Sequence, residues 1–180
     1  AYVPLYTCET VLAPFEKAGY QLKFYELDKD LHSIFDTSVI DEISVLSLCG
    51  YYGFCNYDHS FVKACKEKRV IFEDVTHSML SADGIDPLCD YFAGSFRKWM
   101  GVDCGGFAVK RNGTFETPLL PVEATHLKQR KEYYETGDGD VFWEGELRLR
   151  QMFDSFASDD NSEYLLRHAD FDSICRTRRE

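Results

Sequence analysis

Apolar residues recur along this chain in short unbroken runs: "YVPLY" (2–6), "QLKFYEL" (21–27), "ISVLSL" (43–48), "RVIFED" (69–74), "DYFAGS" (90–95) and "GGFAVKR" (105–111). Runs that are apolar on consecutive positions, rather than alternating, predict strands covered on both faces. Between them, "ETVLAPFEKAGY" (9–20) and "DHSFVKACKEK" (58–68) have helix-forming composition, with Gly19 set to stop the first and Asp58 to cap the second. The intervening connections are short, as strand–helix–strand units require. The expected fold is α/β, with a mostly parallel sheet flanked by helices.

The pattern changes at "NGTFETPLLPVE" (112–123), where glycine and two prolines mark a loop. Beyond it the chain is charged and predicted helical to its end, interrupted at "ETGDGD" (135–140) and "SDDNS" (158–162). Two regions are therefore expected, an α/β core over 1–122 and a helical segment over 123–180. No internal repeat is visible. The chain opens on a strand without Met and closes on "RTRRE" inside a helical stretch, so it reads as incomplete at both ends, a piece of something longer.

Composition narrows the function classes. With 180 residues, 44% of them hydrophobic, the chain is long and apolar enough for a substantial core. Its formal charge of −11, with no long Lys/Arg cluster, opposes docking on phosphate backbones, so no nucleic-acid partner is expected. No apolar run approaches the roughly 20 residues that span a bilayer, so a soluble protein with no membrane partner is expected. Seven widely spaced cysteines without a CxxC pair suggest neither a disulfide framework nor a zinc site, and the five histidines are scattered; no metal is expected. A reducing, cytoplasmic setting fits this cysteine usage.

In doubly wound sheets, ligands bind beyond the carboxyl ends of the strands. The strand 69–74 brings Asp74, Thr76 and His77 to that edge, and the strand 90–95 brings Ser95, Arg97 and Lys98. A carboxylate there can hold a proton on a ring nitrogen, and a lysine amine in a drier site is a nucleophile for carbonyl carbon. Each residue alone has an ordinary structural reading: Lys98 a solvated surface charge, His77 a core histidine, Asp74 a turn cap, Ser95 a turn hydroxyl, Arg97 an ion-pair partner. Cys49 and Cys55 read as small buried apolar groups.

Taken in order, "EDVTHS", a strand, then Ser-Phe, a lysine and a glycine pair resemble the fold-type I pyridoxal-phosphate enzymes, specifically the DegT-type nucleotide-sugar aminotransferases. "VPLYTCETVLAPFEKAGYQLKFYELD" and "LCGYYG" are similar to that family's preceding strands and helix, so the likeness runs over about residues 2 to 111. The resemblance implies the large-domain fold of the aspartate aminotransferase type, pyridoxal 5'-phosphate as cofactor, a keto-sugar nucleotide as acceptor, an amino-acid donor, and a homodimer at full length. It makes Lys98 the lysine of the internal aldimine and Asp74 the acid paired with the pyridine nitrogen. At about 4 Å and an effective dielectric near 20, such a pair gains roughly 4 kcal/mol, about three pKa units. It sets His77 beside the ring hydroxyl and Ser95 against the phosphate. Cys8 stands where relatives put an aromatic on the cofactor ring, which leaves stacking to Tyr51 or Tyr52. The family's phosphate-anchoring helix start and its small C-terminal domain lie outside these 180 residues. The alternative reading is a non-catalytic fragment or degenerate member of the fold that lacks those parts.

Overall fold

The computed structural model describes residues 1–179. Its seven strands form one sheet: β1 (Tyr2–Pro4), β2 (Lys23–Leu27), β3 (Ser33–Ile34), β4 (Val45–Cys49), β5 (Val70–Asp74), β6 (Tyr91–Ser95) and β7 (Gly106–Lys110), in the spatial order β3-β2-β1-β4-β5-β6-β7. The four pairings from β2 across to β6 are parallel, while β3 and β7 run antiparallel at the two edges. Each of the six predicted runs contains a strand. Ser33–Ile34, too short to leave an apolar run, adds the seventh.

Helices α1 (Glu9–Lys17) and α2 (His59–Lys66) connect the parallel strands. Helix α1 stops three residues before the predicted end, and Gly19 follows in the left-handed region at φ 82°. Asp58 caps α2 as its sequence position predicts, accepting from Ser60 N at 2.8 Å. Strands β1 and β4 are apolar on consecutive positions because their two faces meet different helices. The runs at 21–27, 90–95 and 105–111, expected to be covered on both faces, instead give strands that are open or half-buried: Phe24 of β2 is 45% exposed, β6 is half-buried throughout, and β7, at the sheet edge, leaves Val109 37% exposed. Tyr2, Tyr25, Leu46, Leu48 and Ile71 pack with Phe61, Val62 and Cys65 of α2. Val3 and Val45 pack with Leu12 and Phe15 of α1 and with Phe72. Truncating a side chain such as Leu48, which is fully buried, to alanine costs about 2–5 kcal/mol.

One charged side chain lies inside the α2 side of this core. Glu73, wholly buried, accepts from Tyr57 OH (2.8 Å), Asp86 N (2.8 Å) and the Cys89 thiol (3.1 Å), with the Cys55 thiol at 3.8 Å. A buried carboxylate is tolerated only when its oxygens are satisfied in this way. Burial, then the Glu73 charge, pushes the Cys55 thiol up to about 11 and holds Tyr57 and Cys89 far above their ordinary values, so all three keep the proton they donate. Through Asp86 and Cys89 this cluster anchors the long loop between β5 and β6. Gly50 is fixed by close approach: a Cβ there would lie 2.6 Å from Ser78 Cβ.

The chain divides into two compact units, Ala1–Thr114 together with the segment from Ala169 onward, and Phe115–His168. The first unit thus takes in α6 (Phe171–Arg179) as well as the sheet. The second holds α3 (Thr125–Thr136), α4 (Gly139–Arg150) and α5 (Asp160–His168). Gly137, at φ 73°, ends α3, and Asp138 caps α4 by accepting from Asp140 N. Before α3, Glu123 accepts from Thr125 N and His126 N (3.2 Å each) and from Arg148 of α4 (3.0 Å). Burial pulls its carboxyl up, but the hydrogen bonds from His126, Thr125 and Arg148 outweigh it and hold Glu123 well below the usual carboxylate range. None of the described helices is long and apolar enough to cross a membrane.

Two outcomes follow for stability. Glu73→Gln, which puts an amide among donors, is expected to lower the unfolding free energy by about 2–3 kcal/mol in urea titrations; a midpoint equal to wild type would remove Glu73 from its structural role. Because the folded-state pKa of Glu123 is depressed, its contribution is complete above the ordinary carboxylate range and is lost as pH falls toward the folded value. Thermal melts of wild type and Glu123→Gln should therefore differ near neutrality and converge in strong acid. An equal gap at both extremes would contradict this.

Candidate functional site

The strand order reverses at β1, with β2 on one side and β4 on the other, and at such a point the loops beyond the carboxyl ends diverge and leave a crevice. A cavity of about 510 Å³ lies there, within the usual size range of small-molecule sites. Each of the parallel strands β1, β4, β5 and β6 contributes to it. Tyr6, Thr7 and Cys8 come from beyond β1; Cys49, Tyr51 and Tyr52 from β4; Asp74, Thr76 and His77 from β5; Ser95 and Lys98 from β6. Cys8, Asp74, His77, Ser95 and Lys98 thus line one cavity together with Thr76, whereas Arg97, brought to the same edge in the sequence, is not among its lining residues.

Asp74 reaches it through the period-two geometry of β5. Its neighbour Glu73 faces the α2 core, so Asp74 faces the opposite side, in register with Cys49 and Ala93. Its Oδ1 accepts from Thr76 N at 3.0 Å, and among the described residues Oδ2 has no donor. Ser95, two residues beyond Ala93, shares that side of β6. It is the N-cap of the short 3-10 turn Phe96–Lys98, yet its hydroxyl makes no capping bond, which leaves it available to a ligand.

Lys98 ends that turn. Its Nζ makes no hydrogen bond or ion pair among the described residues, while its backbone is held from two sides. Trp99 Nε1 donates to Thr76 O (2.8 Å), tying the turn to the loop that carries His77. Arg178 of α6 donates to Lys98 O (2.6 Å) and Trp99 O (3.1 Å), with its guanidinium 5.1 Å from the Trp99 ring. The amine is therefore mobile on a fixed base.

Aromatic rings line the β1 and β4 side. Tyr51 is buried, donates to Tyr6 O (2.6 Å) and stacks with Tyr6 at 5.7 Å. Tyr52 stacks on His77, with centroids 5.8 Å apart and planes 19° from parallel. Tyr52 and Gly53 both have positive φ, 53° and 98°, in a tight turn closed by reciprocal Tyr51–Phe54 backbone bonds of 2.9 Å. For a side chain as bulky as tyrosine that backbone is uncommon and strained. Cys8 is the N-cap of α1, exposed, its sulfur 2.9 Å from Thr10 Oγ1. Burial, then the Asp74 charge, raises the Cys49 thiol far above its ordinary value, so it stays protonated and is no nucleophile.

A second cavity of about 690 Å³ adjoins the first and shares Tyr52, Thr76, His77 and Lys98 with it, adding Phe54, Trp99 and Arg178. Elsewhere, Asp28, Asp30 and His32 bring three ligand atoms within 4.8 Å of one another. All three are exposed, and Asp28 already accepts from the backbone of Asp30 (2.8 Å) and His32 (2.9 Å), which accounts for the cluster as a turn.

Sequence reasoning brought Thr76 to this edge but did not find Tyr6, Trp99 or Arg178. Tyr6 was legible as a residue just past a strand end. Nothing in the sequence links Arg178 to Lys98, 80 positions away.

The donor set fits the ring and aldehyde of a pyridoxal phosphate, with Ser95 Oγ as the group offered to its phosphate. An open carboxylate oxygen, a free amine, an imidazole, an uncommitted hydroxyl and flanking aromatic rings meet around a space of suitable size. Comparison with known proteins adds little to this. No family model matches the chain, and no curated protein is significantly similar to it. Among solved structures, one that matches is a PLP-bound protein from Clostridium difficile 630 to which aminotransferase activity is ascribed, crystallised with magnesium formate. It is 12% identical over 54% of this chain, with a TM-score of 0.39, and this chain spans 32% of its length. A likeness of that extent fixes neither a fold family nor an activity.

Proposed function

We propose that the protein is a pyridoxal-phosphate-dependent aminotransferase of the DegT type, passing an amino group from an amino-acid donor to a keto-sugar nucleotide, and that it works as a homodimer at full length. The observation that carries this reading is the convergence on one cavity of Lys98, Asp74, His77, Ser95 and Cys8, residues from three strand ends that lie up to 90 positions apart in sequence.

The bound cofactor would supply an aldehyde for a lysine to attack and a protonated ring that accepts electrons. Lys98 Nζ, without a partner and anchored through its backbone, is the amine that attaches there and afterwards moves a proton to and from the reacting carbon. Asp74, through its open Oδ2, holds the proton on the ring nitrogen. Roughly 4 kcal/mol of attraction at about 4 Å suffices to keep that proton in place at neutral pH. His77 orients the ring through its hydroxyl. Ser95 Oγ would donate toward the phosphate, and Tyr51 and Tyr6, stacked on each other, would supply the aromatic wall in place of the aromatic that Cys8 replaces.

The exposure of Cys8 and Lys98 favours one second reading, a chain that binds no cofactor and has no catalytic role.

Purified protein mixed with pyridoxal phosphate, scanned in absorbance before and after borohydride and then mapped by peptide, decides between the two. The expected result is a long-wavelength band that borohydride traps as a pyridoxyl adduct on Lys98, absent from Lys98→Ala. Asp74→Asn is expected to keep the adduct while slowing amino transfer from L-glutamate by about a thousandfold. An unchanged spectrum in Lys98→Ala would displace Lys98 from the mechanism, and no band in the wild type would leave the non-catalytic reading.

A further inference from the structure

Tyr52 occupies a backbone conformation that its own side chain disfavours. The turn at 51–54 has positive φ at both central positions, a geometry for which asparagine or glycine is the usual choice at the first. Burial does not explain the tyrosine, because the residue is 66% exposed. Its hydroxyl lies 3.4 Å from Tyr6 OH, at the outer limit of a hydrogen bond. Its other contact is an offset, near-parallel stack on the imidazole of His77, centroids 5.8 Å apart. Strained backbone that persists without a stabilising return in the fold marks a functional constraint.

Both members of that stacked pair line the cavity that holds Asp74 and Lys98, and both also line the adjoining one. The imidazole makes no hydrogen bond among the described residues. Its direction therefore depends on what packs against its face, and Tyr52 is the ring that does so.

From this we propose that Tyr52 is a positioning residue: the strained turn presses its ring against His77 and thereby fixes the direction in which the imidazole meets the cofactor ring. The inference rests on the proposed function, since it gives His77 a cofactor to meet. It goes beyond that reading in making an exposed tyrosine, on a different strand end from His77, the determinant of the histidine's aim. The hydroxyl is not needed; the ring is.

A double-mutant cycle with pyridoxal phosphate as the probe tests this, alongside thermal melts of the cofactor-free proteins. Tyr52→Asn is expected to raise the melting temperature, because it relieves the turn, and to weaken pyridoxal phosphate roughly three- to tenfold, the scale of one aromatic contact. Tyr52→Phe should bind the cofactor as the wild type does. His77→Ala should weaken binding too, and adding Tyr52→Asn to it should cost almost nothing more, since the two act as one. Losses that add in the double variant would mean that Tyr52 touches the ligand on its own account, and would overturn the proposal. A lower melting temperature in Tyr52→Asn would overturn it as well, by making the ring part of the fold. If the wild type itself fails to bind, the proposed function falls and takes the inference with it; wild-type binding with additive losses sinks the inference alone.

Discussion

Much of the site depends on where Glu73 points. A strand has two faces, and in β5 one of them carries a carboxylate into the core while the next residue carries another into the cavity. The first cannot move without leaving the Tyr57 hydroxyl, the Asp86 amide and the Cys89 thiol unpaired in an apolar setting. A one-residue slip of β5 would exchange the faces, setting Asp74 among those donors and Glu73 over the cavity. The buried acid thus fixes the register that turns Asp74 to the cavity, and the loop it anchors leads into β6 and the turn that bears Lys98.

The cavity is built on rigid edges with a free centre. Thr76 and Lys98 belong to different strand ends but are joined through Trp99, and Arg178 holds the same turn from the far end of the chain. These bonds go to backbone carbonyls, so they position the lysine without engaging its amine. Cys49, paired with Asp74 in register, is kept protonated by burial and by that carboxylate.

The strands themselves were legible in the sequence as apolar runs, but two-sided burial holds for β1 and β4 and not for β2, β6 or β7. Leu46 and Leu48 face one helix and Val45 the other, and no alternation could have produced that. That Asp74, His77, Ser95 and Lys98 would meet at one edge was legible through the strand-end rule, and Cys8 through resemblance; spacing alone did not distinguish Lys98 from a surface charge. What was not legible depends on contacts between distant segments. Glu73 reads in sequence as an ordinary strand-end acid, and its four partners are scattered from 55 to 89. Arg178 reads as one of several basic residues in a helix. The strain at Tyr52 has no sequence signature, since "YYG" looks like any aromatic step before a glycine.

The first unit leaves the chain at Thr114 and resumes at Ala169, so Arg178 reaches Lys98 only after an excursion through another folded unit. Closing a flexible chain segment costs entropy that grows only logarithmically with its length, about 0.6 kcal/mol for each doubling. The segment between those two points can therefore lengthen, shorten or be exchanged for another at small expense to the turn that carries the lysine. The architecture separates what must stay constant from what is free to diversify.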